Sequence, residues 1–144
     1  MTPTEIRAAI AADPALQALV PDSAALAASL SVGRTRVVQR LGGVGAVMDA
    51  LGPDVGAEVL DALDALKATS SPVKWAWVLI NRGELDFGLP STRGMIVQLQ
   101  QAGAFGAQGA AIAAALLAIA EEPDPVSAAQ VELAIRNDLG EIIV

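Results

Sequence analysis

Apolar residues along the chain recur mainly at helical spacing, and the strongest pattern lies between residues 94 and 122. This stretch carries no charge before its last two residues. Ile112, Leu116 and Ile119 follow one another at i, i+4 and i+7, and alanines fill most of the remaining sides. A helix that is apolar on all sides is normally buried by its neighbours. The pattern therefore predicts an Ala-rich central helix from about residue 107 to residue 120, surrounded by other helices.

Capping residues and prolines divide the rest of the chain into further short helices. A capping box with proline at the first helical position is present in the sequence TPTE at residues 2–5. Between residues 53 and 68, an apolar stripe lies opposite a row of acids. A second capping box, SAAQ at residues 127–130, opens a last helix that we expect to end at Gly140. We predict an all-α fold, in which residues 1–144 form a compact single-domain bundle of about seven to eight short helices around the Ala-rich helix.

The segment from residue 31 to residue 45 departs from the helical pattern. It contains several β-branched residues, four glycines and the only basic cluster of the chain, Arg34, Arg36 and Arg40. We predict an extended arm or long loop within the helical domain, because the composition does not favour a helix. On an acidic protein, such an arm is suited to contact an acidic face of another subunit. The alternative is three separately solvated arginines.

Two further features are candidates for protein contacts. Trp75 and Trp77 lie in a predicted helix among aliphatic residues. If the core contacts only one side of this helix, only one of the two rings can face fully inward. The other ring is then a candidate interface anchor, and the alternative is that both rings belong to the core. The apolar end of the chain, Ile142, Ile143 and Val144, either forms an exposed adhesive patch or folds back on the protein's own core.

Composition narrows the classes of function. The net charge of −7 opposes nucleic acid as a partner, because phosphate binding needs a basic surface. The chain has no His, Cys or Tyr, which removes the usual general bases, the thiol nucleophile and the commonest metal ligands. The acids at residues 121–124 do not have the spacing of a calcium-binding loop. The glycines at residues 42–45 are not followed by the lysine and hydroxyl residue of a phosphate-binding loop. The sequence therefore predicts a non-enzymatic protein with no catalytic residue, no cofactor and no metal ion.

Residues 95–120 are long enough to span a membrane and carry no charge, so a membrane-spanning helix is an alternative for this stretch. The same residues include four glutamines, whose amides are costly in hydrocarbon, and three glycines. We therefore expect two helices joined by a break near residues 103–106, and no membrane partner. The first residues of the chain mix acids with bases and lack the apolar run of a signal peptide.

Three stretches of the chain resemble small helical proteins encoded among the virion and tail genes of tailed bacteriophages. They are LSVGRTR at residues 30–36, GELDFG at 83–88 followed by TR at 92–93, and AEEPDPV at 120–126. The resemblance spans most of the chain and includes no catalytic signature, and most of those proteins have no assigned function. It implies a virion structural protein, present in multiple copies, made in the host bacterial cytoplasm and located in the virion.

The partners implied by this resemblance are other virion or tail proteins, or further copies of the chain in a homo-oligomer or larger assembly. Two other functions stay open at this point. One is a soluble phage assembly chaperone or regulator that is not retained in the particle. The other is a small membrane-active protein that uses residues 95–120.

Overall fold

The computed structural model describes residues 1–137 and 139–144, and this part of the chain is mostly helical, as predicted. Its α-helices are α1 (Pro3–Ala12), α2 (Pro14–Gln17), α3 (Ser23–Ser31), α4 (Val44–Leu51), α5 (Pro53–Leu66), α6 (Ser71–Arg82), α7 (Pro90–Gln101), α8 (Gly109–Ala118) and α9 (Ala128–Ile135). Short strands, which the sequence did not predict, are β1 (Thr35–Val37), β2 (Leu41–Gly42), β3 (Leu85–Asp86) and β4 (Glu121–Pro123). The chain divides into two compact units, unit 1 (Met1–Arg36 with Pro123–Val144) and unit 2 (Val37–Glu122).

Unit 1 is built on α1, α3 and α9. Its core contains Ile6 and Ile10 from α1, Leu26 from α3, and Val131 and Ile135 from α9, all almost fully buried. Both predicted capping boxes are present, at the first turns of α1 and α9, so the start of each helix is fixed by local hydrogen bonds. These local signals explain why the ends of unit 1 fold as helices that pack together.

The predicted end of α9 at Gly140 is wrong, because the helix stops at Ile135. Beyond it the Oδ1 atom of Asn137 accepts hydrogen bonds from the backbone N–H groups of Leu139 and Glu141. The chain then turns back, and the N–H of Ile143 donates to the carbonyl oxygen of Ile135 at 2.7 Å. An asparagine side chain that bonds the backbone in this way competes with helix continuation.

Unit 2 contains helices α4 to α8, and its core is the larger of the two. The apolar stripe predicted on α5 is confirmed, since Val59, Leu60 and Leu63 are buried. The opposite face of α5 carries exposed acids, Asp54, Glu58, Asp61 and Asp64. The helix therefore packs by one side only, as its pattern requires.

The prediction that the Ala-rich helix is surrounded on all sides is wrong. Helix α8 buries Ile112, Ala113 and Leu116, whereas Ala110 and Ala114 are exposed. A row of alanines carries only single methyl groups, and exposed apolar atoms of this kind are common on protein surfaces. Its neighbours therefore need to cover only the face that carries the large side chains.

The break predicted within residues 95–120 is confirmed. Helix α7 ends at Gln101, a short 3-10 helix spans Gly106–Gln108, and α8 begins at Gly109. Across residues 1–137 and 139–144, no helix is both long enough and apolar enough to cross a bilayer.

The segment predicted as an extended arm or loop at residues 31–45 is extended in part but is not a free arm. Strand β1 pairs with β4, and β2 pairs antiparallel with β3, with Leu41 opposite Asp86. Helix α3 includes Ser31 at one end of the segment, and α4 begins at Val44 near the other. Pairing with strands that are distant in sequence therefore holds residues 35–42 in place. The composition of this segment had indicated only that it is not helical.

Two glycines allow backbone segments of unit 2 to approach each other closely. A Cβ atom on Gly43 would lie 2.5 Å from the carbonyl oxygen of Ile80 and 2.8 Å from the Cα atom of Gly83. A Cβ atom on Gly88 would overlap the carbonyl oxygen of Val38. Gly43, which directly precedes α4, is thus required by packing.

We expect Gly43→Ala to lower the free energy of unfolding by about 2 kcal/mol, because the new methyl group meets backbone atoms that cannot rotate away. Gly45→Ala is a matched control two residues further on, in α4, where a Cβ atom meets nothing within 4 Å. That change should be neutral or stabilising by up to about 1 kcal/mol, since alanine favours helix. Denaturant unfolding of both variants measures the difference, and equal stabilities would refute the close approach.

A polar network joins α3 to α9 in unit 1. The buried Ser23 hydroxyl donates to Oε1 of Glu132 at 2.7 Å, and Nε of Arg136 donates to Oε2 of the same carboxylate at 2.6 Å. The Ser23 hydrogen bond, followed by that from Arg136, lowers the pKa of Glu132 below its usual value of 4.5. The ionised carboxylate is therefore favoured by folding.

We expect Glu132→Gln to destabilise the protein at pH 7 and to matter progressively less as the pH falls below about 4. A folded-state pKa below the unfolded value contributes stability above the unfolded pKa, and this stability is lost as the pH falls through the folded pKa. Thermal unfolding followed by circular dichroism at pH 7 and pH 3 tests this. Glu58→Gln, on the exposed face of α5, is the control, and a Glu132→Gln effect that is the same at both pH values would contradict the prediction.

Candidate protein-interaction groove

The two tryptophans lie on different sides of α6. The helix begins after the capping side chain of Ser70 and ends at Gly83, which adopts the left-handed conformation. Trp77 is partly buried and packs against the core of unit 2, whereas Trp75 is 64% exposed. Because Trp75 is two residues from the buried Val73, the helical period turns it away from the core. Of the two candidates, Trp75 is thus the one available to a partner.

A lysine lies near each tryptophan ring. The Nζ atom of Lys67 is 5.6 Å from the ring centroid of Trp77 and forms an ion pair with Asp64. The Nζ atom of Lys74 is 5.4 Å from the ring centroid of Trp75. At exposed sites such cation–π contacts contribute about 0.5–1 kcal/mol. Trp75 remains 64% exposed beside Lys74.

Trp75 stands at the edge of a groove between α6 and α7, with a volume of about 480 Å³. Two other exposed apolar residues line it, Leu79 on α6 (37% exposed) and Leu89 before α7 (49% exposed). The remaining lining residues are Pro72, Ala76, Glu84, Leu85, Asp86, Pro90, Ser91, Thr92, Gly94, Met95 and Gln98. The groove is thus mostly apolar, with its large side chains on both walls.

The charged residues that line the groove are Glu84 and Asp86, both acidic. The Oδ1 atom of Asp86 accepts hydrogen bonds from the backbone N–H groups of Arg40 at 3.1 Å and Gly88 at 2.9 Å. The sequence DFG at residues 86–88 therefore serves a local turn. Within the described part of the chain, the Glu84 carboxylate has neither an ion pair nor a hydrogen bond.

The three arginines predicted as one basic arm differ in their surroundings. Arg34, in unit 1, donates from Nε to the carbonyl oxygen of Asp124 at 3.1 Å and forms an ion pair with its carboxylate at 2.8 Å. Arg36 is exposed in β1. Arg40 is exposed in unit 2, and its guanidinium has no ion pair with any described residue. The three side chains therefore lie in different surroundings.

The apolar end of the chain belongs to unit 1 and is bound there by its backbone. Ile142 forms an isolated antiparallel bridge with Arg136, and Ile143 bonds to Ile135 as described above. The side chains of Ile142, Ile143 and Val144 nevertheless remain about half exposed. The backbone of the segment thus turns back toward the end of α9, while its side chains present apolar surface.

Glu121 and Asp124 are used in ion pairs. Arg93 donates to Oε1 of Glu121 at 2.6 Å and to the carbonyl oxygen of Leu117 at 2.9 Å, which satisfies a free carbonyl group at the end of α8. Asp124 is paired with Arg34. Among the residues that the structure describes, no group of three or more acids has the arrangement of a metal site.

Sequence reasoning missed part of the groove. Trp75 and Leu79 are one helical turn apart on α6, so local periodicity could place them on one face. Leu89, Glu84 and Asp86 come from the connection between α6 and α7, where no periodic pattern indicates which side chain faces the groove. Their contribution depends on the strand pairing of β3, which is not a local property.

No protein-family model, curated protein or solved structure matches this chain. The functional hypothesis therefore depends on the geometry of the groove and on the resemblance of the three sequence stretches.

We expect the two tryptophans to respond differently to a collisional quencher in dilute solution. In Trp77→Phe the remaining Trp75 should be quenched readily by acrylamide, and in Trp75→Phe the remaining Trp77 should be protected. For the same reason, Trp77→Ala should cost about 2 kcal/mol or more of unfolding free energy. Trp75→Ala should cost about 1 kcal/mol or less. Equal quenching of the two rings would contradict their assignment.

Proposed function

We propose that this chain is a non-enzymatic protein–protein interaction component that receives a partner in the groove between α6 and α7. The observation that carries the proposal is the exposure of Trp75 in line with Leu79 and Leu89 along one concavity. Tryptophan is the residue most enriched among interface hot spots, which occupy well-packed pockets at the centre of an interface. Apolar residues grouped at such a site mark an interaction surface more often than residues scattered singly.

The energy available at this site is sufficient for recognition. A tryptophan that is 64% exposed offers roughly 100–150 Å² to a partner, worth about 3 kcal/mol at 25 cal/mol per Å². Association also costs several kcal/mol in lost translational and rotational freedom. Trp75 alone is therefore too little, and Leu79 and Leu89 supply the additional apolar surface that a stable contact needs.

The more specific proposal is a bacteriophage virion structural protein present in multiple copies, either in the tail or elsewhere in the particle. Its support is the resemblance of the three sequence stretches, one of which, residues 83–88, contributes Glu84, Leu85 and Asp86 to the groove. A soluble assembly chaperone or regulator would use the same groove without remaining in the particle. Membrane activity through residues 95–120 has less support, because these residues are divided among α7, the 3-10 helix and α8.

Site-specific photo-cross-linking tests the groove directly. A benzophenone amino acid at position 79 lies in the groove, and the same group at position 61 lies on the exposed acidic face of α5 and serves as the control. In cells that make the protein, we expect discrete protein adducts from position 79 and not from position 61. Trp75→Ala should remove those adducts. The same adducts from both positions, or none from position 79, would refute the proposal.

Mass spectrometry of purified particles of a phage that encodes the chain separates the virion protein from the chaperone. A structural protein should be retained at a fixed ratio to the other virion proteins. Adducts in the cell without the chain in the particle would favour the chaperone.

A further inference from the structure

The charge of the groove restricts the chemistry of its occupant. Its charged lining residues, Glu84 and Asp86, are both acids, and none of the basic residues in the described part of the chain lines it. One oxygen of Asp86 is already engaged by two backbone N–H groups, whereas Glu84 is unpaired among the described residues. A segment that fits this groove therefore places a large apolar side chain against Trp75 and a basic side chain toward Glu84.

The chain itself carries such a segment in unit 2, at residues 40–41. Leu41 is 57% exposed although it belongs to strand β2, and the neighbouring Arg40 is exposed with an unpaired guanidinium within the described part of the chain. Other bases of unit 2 lack this combination. Lys67 and Arg93 are held in ion pairs, and Arg82 lies between Asn81 and Gly83 without an exposed apolar neighbour in sequence. Lys74 has an exposed apolar neighbour, Trp75, but its Nζ atom is engaged over that ring at 5.4 Å from the centroid, and Trp75 itself lines the groove.

The strand pairing places this segment beside the acidic end of the groove. Leu41 lies opposite Asp86 in the β2–β3 pair, and the N–H of Phe87 donates to the carbonyl oxygen of Arg40 at 3.0 Å. A two-fold interface requires that one surface carry both halves of the contact, so that each copy gives and receives the same residues. Residues 40–41 and the groove meet this requirement because both belong to the same part of unit 2.

We propose that the occupant of the groove is a second copy of this chain. In the resulting dimer, Leu41 of each copy enters the apolar part of the other copy's groove beside Trp75, and Arg40 meets Glu84. This pairing deepens the function proposed above and depends on it. It also assigns a contact to Arg40, the arginine of the predicted arm that belongs to unit 2.

Analytical ultracentrifugation of the purified full chain over a concentration series tests the dimer. We expect a reversible dimer for the unmodified protein, with a dissociation constant that Trp75→Ala raises by about 30-fold or more. Arg40→Glu and Glu84→Arg should each raise it by about tenfold or more, because each places like charges together. The double variant Arg40→Glu/Glu84→Arg should restore most of the affinity. Arg82→Glu, which makes the same charge change on an exposed residue outside the groove lining, is the control and should have no effect.

The double variant keeps the test independent of folding defects, because a damaged protein would not recover affinity on a second substitution. A chain that stays monomeric at every concentration, or a dimer that the Arg40→Glu/Glu84→Arg pair fails to restore, would overturn this inference. Cross-linking from position 79 distinguishes the two proposals. Adducts only to other proteins, from a chain that is monomeric when purified, would refute the dimer and leave the interaction function in place.

Discussion

The close approach of two backbone segments is the constraint on which unit 2 depends. Residues 38–43 run against the turn at residues 83–88 so tightly that Gly43 and Gly88 have no room for a side chain. The carboxylate of Asp86 fixes this approach by accepting hydrogen bonds from the backbone N–H groups of Arg40 and Gly88, one in each segment. Because the close approach is between backbone atoms and Asp86 hydrogen-bonds to backbone N–H groups, these contacts set the position of Leu41 and of the acidic end of the groove. The groove is therefore a consequence of chain geometry as much as of the residues that line it.

The helices of this protein could be predicted from local sequence because their signals are local. The two capping boxes, the proline at the start of α5 and the left-handed Gly83 at the end of α6 each act within one helical turn. The strands could not be predicted in the same way, since the N–H of Arg40 and the carboxylate of Asp86 are 46 residues apart. Composition also did not show whether the Ala-rich helix α8 is buried on all sides or leaves a row of alanine methyl groups exposed, as it does.

In the candidate site, too, features set by local sequence could be predicted and features set by distant contacts could not. Helical periodicity left two alternatives for Trp75 and Trp77, with both rings in the core or one ring facing outward, and it did not identify which ring faces the core. Proximity in sequence suggested that the three arginines act together, but the Arg34 guanidinium is bound to Asp124, 90 residues further along the chain. Here the chain passes from unit 1 to unit 2 within that cluster.

An exposed tryptophan does not by itself indicate a function, since several apolar residues of this protein are exposed. Val32 and Leu139 are more exposed than Leu79 or Leu89, and neither lines the groove. What distinguishes the groove is that three large apolar side chains border one concavity of about 480 Å³, a size typical of ligand and peptide sites. Leaving them in water gives up the stabilisation that burial would supply, and Trp75 stays 64% exposed beside Lys74. A partner that fills the groove recovers that energy, which is why we assign the function to this surface and not to the more exposed but isolated residues.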